Sequence, residues 1–229
     1  MSDPQPVADT TPADDTERKT RGPGRTSRDD WMQAALAMLI AEGVDSVKIL
    51  ALAERLDCAR SSFYWFFKNR AELLDALLAH WQATNTAALI DAARQPSATI
   101  TEALARLYAS WEDESGFDTA LDFAIRGWAR KDERVNARLR ASDDARIAAL
   151  AGMFLRHGYP EGEADVRARI VYFTQIGYAI LDQRESEELR ISRGRDYLTC
   201  LTGQPPSDAE LELANASLRK QMDRSVRKA

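Results

Sequence analysis

All eight prolines of this 229-residue chain stand either before residue 27 (Pro4, Pro6, Pro12, Pro23) or in short breaks (Pro96, Pro160, Pro205, Pro206). Proline lacks an amide hydrogen and clashes with the preceding helical turn, so this placement leaves every long segment free to form uninterrupted helix. Inside those segments the apolar residues recur at helical spacing. Trp31, Ala34, Ala35, Met38 and Leu39 form one stripe, and Leu73, Leu74, Leu77, Leu78 and Trp81 another. No segment alternates as a half-buried strand would, and an all-α fold is expected.

Start and stop signals divide the chain further. Ser27 with Asp30, Asn69 with Glu72, Thr99 with Glu102 and Ser207 with Glu210 each place a capping side chain three residues ahead of a carboxylate. Gly43, Gly158 and Gly203 follow the ends of stripes, where a helix closes most easily. About ten helices result, over 28–42, 49–56, 60–67, 70–94, 99–115, 118–130, 133–157, 163–183, 187–202 and 207–224.

Composition narrows the setting. The two cysteines, Cys58 and Cys200, are far apart and outside any metal-binding spacing, so neither a disulfide framework nor a metal site is expected. No apolar run reaches the roughly 20 residues that span a bilayer, and a cytoplasmic protein is expected, with no membrane partner. The net charge of -5 argues against a general nucleic-acid coat protein. Its distribution is uneven, however, because residues 18–80 carry ten Lys/Arg against eight Asp/Glu while residues 1–17 carry five acidic groups and no basic one. Residues 1–26 are expected to be a disordered tail. Arg18, Lys19, Arg21 and Arg25 around Gly22, Pro23 and Gly24 make its end a basic arm, of a kind that lies in a minor groove or serves as a solvated linker.

Residues 49–74, ILALAERLDCARSSFYWFFKNRAELL, place two very short helices before a long one. Helices this short are marginal alone and must be held by their neighbours, as the three-helix unit of a helix-turn-helix holds its own. In such a unit the second short helix enters the major groove. Here that helix starts at Arg60. Ser61 and Ser62 are small enough for close backbone approach, Tyr64 offers a hydroxyl on a rigid ring, and Lys48, Lys68 and Arg70 supply cations. Phe63 and Phe66, three apart, are expected to face inward.

The segment resembles the DNA-binding domain of the TetR family, in which a short reading helix ends in an aromatic cluster, then a basic residue and an acidic-leucine helix start. Phe63, Tyr64, Trp65, Phe66, Phe67, Lys68, Asn69, Glu72, Leu73 and Leu74 carry the match, and Gly43 falls where the family closes its first helix. The resemblance spans roughly residues 27–80. It implies phosphate contacts by Tyr64 and Lys68, and base-edge or groove contacts by Ser61, Ser62 and Trp65. This chain departs from the pattern in its turn, which is Asp57, Cys58 and Ala59 instead of a glycine and a small polar residue. It also has Val47 and Lys48 where a threonine commonly starts the second helix, leaving Ser46 or Asp45 to cap. Trp65 stands where a more polar residue is usual.

The division expected is a tail (1–26), a helix-turn-helix domain (27–75) and a helical effector-binding and dimerisation domain (76–229). The resemblance implies a homodimer on an operator in double-stranded DNA, no cofactor, and a pocket for a small-molecule effector, whose lining candidates are Trp111, Phe123, Trp128 and Tyr172. It also implies dimerisation through the last two main helices. Val166, Ile170, Phe173, Gly177 and Leu181 form the seam there, with Gly177 allowing close approach. Enzymatic classes fare poorly, because the chain has only two histidines and no HExxH, P-loop or nucleophile elbow. A repressor is the favoured reading. The alternative is a helical adaptor that binds proteins and never DNA, which salt separates: DNA binding weakens steeply with salt and a hydrophobic groove does not.

Overall fold

The computed structural model describes residues 26–111, 117–181, 185–216 and 219. Arg21 and Arg25, with the rest of the expected tail, lie outside them. Among the described residues every regular element is helical: α1 (Arg28–Glu42), α2 (Ile49–Arg55), a 3₁₀ helix (Arg60–Trp65), α3 (Arg70–Trp81), a π turn (Gln82–Thr86), α4 (Ala87–Arg94), α5 (Ile100–Trp111), α6 (Thr119–Ala129), α7 (Glu133–Arg156), α8 (Glu161–Leu181) and α9 (Glu187–Thr202). A further helix covers residues 208–216. No described helix is long and apolar enough to cross a membrane.

All four capping pairs form. The Ser27 hydroxyl accepts from the Asp30 amide while Asp30 takes the Ser27 amide. Asn69 accepts from the Glu72 amide, Thr99 from that of Glu102, and Ser207 from that of Glu210. The last two meet in space, since the Thr99 hydroxyl donates to the Glu210 carboxylate. Each cap satisfies an amide that the helix itself leaves unbonded.

Two apolar clusters organise the helices. The first joins α1, α2, the 3₁₀ helix and α3, and is completed by Leu121, Ile125 and Trp128 of α6 with Val135 and Leu139 of α7. The second gathers Leu89 of α4 with α5, the later turns of α7, α8 and α9. Residues 70–94 run helically from one cluster to the other, as their periodicity predicts, but with a π turn at the passage. Its side chains bond outward: Asn85 pairs with the Asp118 backbone through both its amide atoms, and the Thr86 hydroxyl accepts from Arg146 of α7. A π turn widens the helix by one residue and is commonly found where function needs it.

Candidate nucleic-acid interface and effector domain

The unit that carries the reading helix is built around Trp31 of α1. Phe63 packs edge-on to Trp31 at 5.2 Å and stacks on Phe67 at 5.4 Å, and Arg28 lies over the Phe67 ring. Phe67, not Phe66, is thus the second buried anchor. Phe66 is only partly buried at the cluster's edge. The spacing misleads because residues 60–65 form a 3₁₀ helix, not the expected α-helix, and the chain leaves it at Trp65. No side chain caps its start, and the Ser62 hydroxyl donates back to the Ala59 carbonyl at 2.7 Å, which favours the tighter turn.

The turn before it uses Asp57 in place of the usual glycine. Asp57 has φ of 48°, the left-handed region that Asp and Asn enter more readily than other side chains. Neither Ser46 nor Asp45 caps α2. Ser46 donates to the Gly43 carbonyl, and Asp45 holds Lys131 at 2.6 Å, which keeps its carboxyl below the ordinary range. Lys48 occupies the cap position with its side chain exposed and uncommitted to the helix end.

Tyr64 and Trp65 stand out from this unit, 49% and 81% exposed. In a 3₁₀ helix residues three apart eclipse, so Ser61 shares a face with Tyr64 and Ser62 with Trp65. Arg60, Ser61 and Lys68 are exposed alongside, while Ser62 is half-buried. Arg70 is the exception among the expected contacts. Its guanidinium donates to the Val47 and Val44 carbonyls, at 2.5 and 2.6 Å, and ties the start of α3 to the α1–α2 loop. Two of its five N–H donors are thereby committed to the fold.

The residues proposed for an effector pocket separate. Phe123 is exposed on α6. Trp128 is buried in the first apolar cluster and packs the junction with the helix-turn-helix. Tyr172 is buried too, where its hydroxyl donates to Asp143 at 2.6 Å and accepts from Arg126 and Arg146. Burial holds that phenol above its ordinary value, so it remains a donor. The side chain of Trp111 lies outside the described residues.

Around Tyr172 the structure assembles a polar cluster that periodicity does not mark. Arg146 is fully buried, sits over the rings of Trp81 and Phe117, and donates to Thr86, Asp122 and Tyr172. Asp122 also accepts from the Trp81 indole at 2.8 Å and from Arg126 at 2.9 Å. Arg126 completes the set with a two-pronged bond to Asp143. Burial works against the Arg126 charge, but Asp143 and Asp122 outweigh it and hold the guanidinium above its ordinary value. Two cations thus meet two carboxylates, a balance that a buried site requires.

On α8 the expected seam is open. Val166, Ile170, Phe173 and Leu181 are all exposed, and a Cβ added at Gly177 would meet nothing within 4 Å. A run of large apolar residues left uncovered on one helix marks an interaction surface.

A short helix projecting an aromatic and basic edge from a three-helix unit, joined to a larger helical body, defines a helix-turn-helix DNA-binding regulator. The profile of the bacterial regulatory proteins of the tetR family matches residues 32–77. Residues 32–77 are therefore a DNA-binding domain of the tetR type, and the chain is similar to the transcriptional regulators of that family. It is 26% identical over 187 residues to the class C tetracycline repressor protein of Escherichia coli, spanning 80% of this chain and 78% of that one. It is 32% identical over 65 residues to the HTH-type regulator TtgW of Pseudomonas putida, 28% of this chain and 48% of the relative. Among solved structures, the fold is shared with Salmonella enterica GusR (TM-score 0.56, 17% identity, 77% of this chain and 91% of that one). It is shared also with Mycobacterium smegmatis AmtR (TM-score 0.52, 23% identity, 86% and 96%).

Proposed function

We propose that the chain is a homodimeric, cytoplasmic repressor that occupies a near-palindromic operator and leaves it when residues 76–229 bind a small-molecule effector. The observation that carries this reading is the pairing, in one chain, of an exposed reading helix with an uncovered apolar seam on α8. Joined through that seam, two copies would present two reading helices about a two-fold axis, which suits half-sites about one helical turn, or ~34 Å, apart. Residues 27–75 supply the major-groove and flanking phosphate contacts. Tyr64, Lys68, Lys48 and Arg60 face phosphates, Ser61, Ser62 and Trp65 face base edges, and Arg21 and Arg25 of the preceding arm reach the minor groove. Arg70 is assigned to holding the α1–α2 loop. Likeness over four-fifths of the chain to a protein named a tetracycline repressor favours repression over activation.

An effector must bind one arrangement of the reading helices better than another. The helical rod 70–94 connects the two clusters, and the buried Asp122 and Arg146 grip it at Trp81 and Thr86, on either side of the π turn's start, which makes it the route for that preference. Selection of binding sequences from a random duplex pool tests the reading. Enrichment of a palindrome bound by two chains supports it. Enrichment of nothing at low salt favours a protein-binding adaptor instead.

A further inference from the structure

Between α6, the start of α7 and the last turns of α8 lies an open groove of about 680 Å³, within the range that encloses small organic ligands. Its apolar wall is Phe123, Ile176 and Ile180, and Phe123 is 54% exposed in the middle of a helix. Arg126 lines the same groove. A narrow extension runs on past Phe117 to Asp122 and Gln175, but at about 10 Å³ it admits a single water at most. Anything larger therefore meets the buried cluster through Arg126.

Charges at the rim are unequally committed. Asp132 caps α7 by accepting from the Arg134 and Val135 amides, Glu133 holds Arg140, and Lys131 is paired with Asp45. Arg130 is exposed and has no ion pair among the described residues. The uncommitted charge is positive. Arg126 itself already demonstrates the chemistry, since it grips the Asp143 carboxylate with two bonds of 2.9 and 2.8 Å. Asp143 is partly open to solvent, whereas Asp122, its other carboxylate, is buried. Of the two, Asp143 can turn out into water and be replaced.

We infer that the groove binds a small organic acid, with its apolar body against Phe123, Ile176 and Ile180 and its carboxylate on Arg126 in place of Asp143. The inference rests on the reading of residues 76–229 as an effector domain. Exchange of Asp143 for the ligand releases the Tyr172 hydroxyl, which now donates to it, and loosens the cluster that holds Trp81 at the end of α3. The ligand class follows from the guanidinium fork, which matches a carboxylate and has no counterpart in an amide or an amine.

The test is calorimetric titration of the full-length chain with two matched sets: octanoate, octanamide and octylamine, and hydrocinnamate, hydrocinnamamide and phenylpropylamine. Each acid is expected to bind about tenfold or more tightly than its amide or amine. Arg126→Gln removes the acid's advantage. That variant also deprives Asp122 and Asp143 of a cation and can unfold, so Asp143→Asn is the second: with the competing carboxylate gone, acid affinity rises severalfold. Acids binding no better than their amides, or an affinity unchanged in Asp143→Asn, overturns the inference. Operator binding is followed in parallel. Release of DNA by an amide or amine overturns the acid and leaves the effector reading standing; an acid that binds through Arg126 without altering operator affinity upholds the site and overturns its regulatory role.

Discussion

Trp31 and Trp81 belong to one apolar cluster, yet their surroundings differ in kind. Trp31, at the centre of the helix-turn-helix, is wrapped in aliphatic and aromatic side chains, and its buried indole nitrogen has no hydrogen-bond partner among the described residues. Trp81, at the junction with the larger body, donates to Asp122 and lies under the guanidinium of Arg146. The DNA-binding unit is thus held by contacts that are individually weak and tolerant of adjustment. The junction is held by directional bonds among largely buried charges, and such a cluster has few acceptable arrangements. That difference suits a junction that passes between a few discrete arrangements while the reading head adjusts to follow it.

The largest effect expected from this contrast is that of Arg146→Ala. Removing a fully buried cation takes one of three donors and a charge partner from Asp122 and leaves Thr86 without the donor to its hydroxyl, and unfolding in urea at matched protein concentration should show a loss of about 3–5 kcal/mol. A loss under about 1 kcal/mol would mean that the cluster is not the tie described. Next comes Phe173→Glu on the open α8 seam. Light scattering should report a monomer, and operator affinity should fall about a hundredfold because two half-sites are no longer engaged together.

A smaller effect separates the two tryptophans themselves. Both Trp→Phe changes remove similar volume, but only Trp81→Phe strips a donor from a buried carboxylate. Trp81→Phe should therefore cost about 1–2 kcal/mol more than Trp31→Phe in the same denaturation; equal costs would erase the contrast. The smallest effect lies away from both. The bond from Thr99, with help from Ser207, holds the Glu210 carboxyl below its ordinary 4.5. A lowered folded value contributes stability above the unfolded pKa and loses it as pH falls through the folded one. The gap in melting temperature between wild type and Glu210→Gln should accordingly narrow as the pH falls below 4.5.

What could be read from sequence follows the same division. Helix limits and all four capping pairs were legible because they depend on residues within one turn of each other, as Ser27 and Asp30 do. The reading helix was legible in place but not in type, since Ser62 bonding back to Ala59 selects a 3₁₀ turn that apolar spacing does not encode. That shift buried Phe67 where Phe66 was expected. Arg70 looked like a phosphate contact because its carbonyl partners, Val44 and Val47, lie more than twenty residues away. Trp128 and Tyr172 looked like pocket aromatics for the same reason. The cluster of Arg146, Asp122, Asp143 and Thr86 draws on three separate elements, and only folding brings them together. Phe123 and the large apolar residues of α8 are legible as helical stripes, and the structure adds that they are exposed.

The proposed operator binding assigns phosphate contacts to Tyr64 and Lys68. The decisive measurement is fluorescence anisotropy of a selected operator duplex across a salt series, with wild type beside Tyr64→Ala, Lys68→Ala. The wild type should bind with an affinity that falls steeply as salt rises. The double variant should bind at least about tenfold more weakly, its salt slope shallower by about one for each phosphate it no longer neutralises and its melting temperature unchanged. Identical titration curves for the two proteins would contradict the assignment.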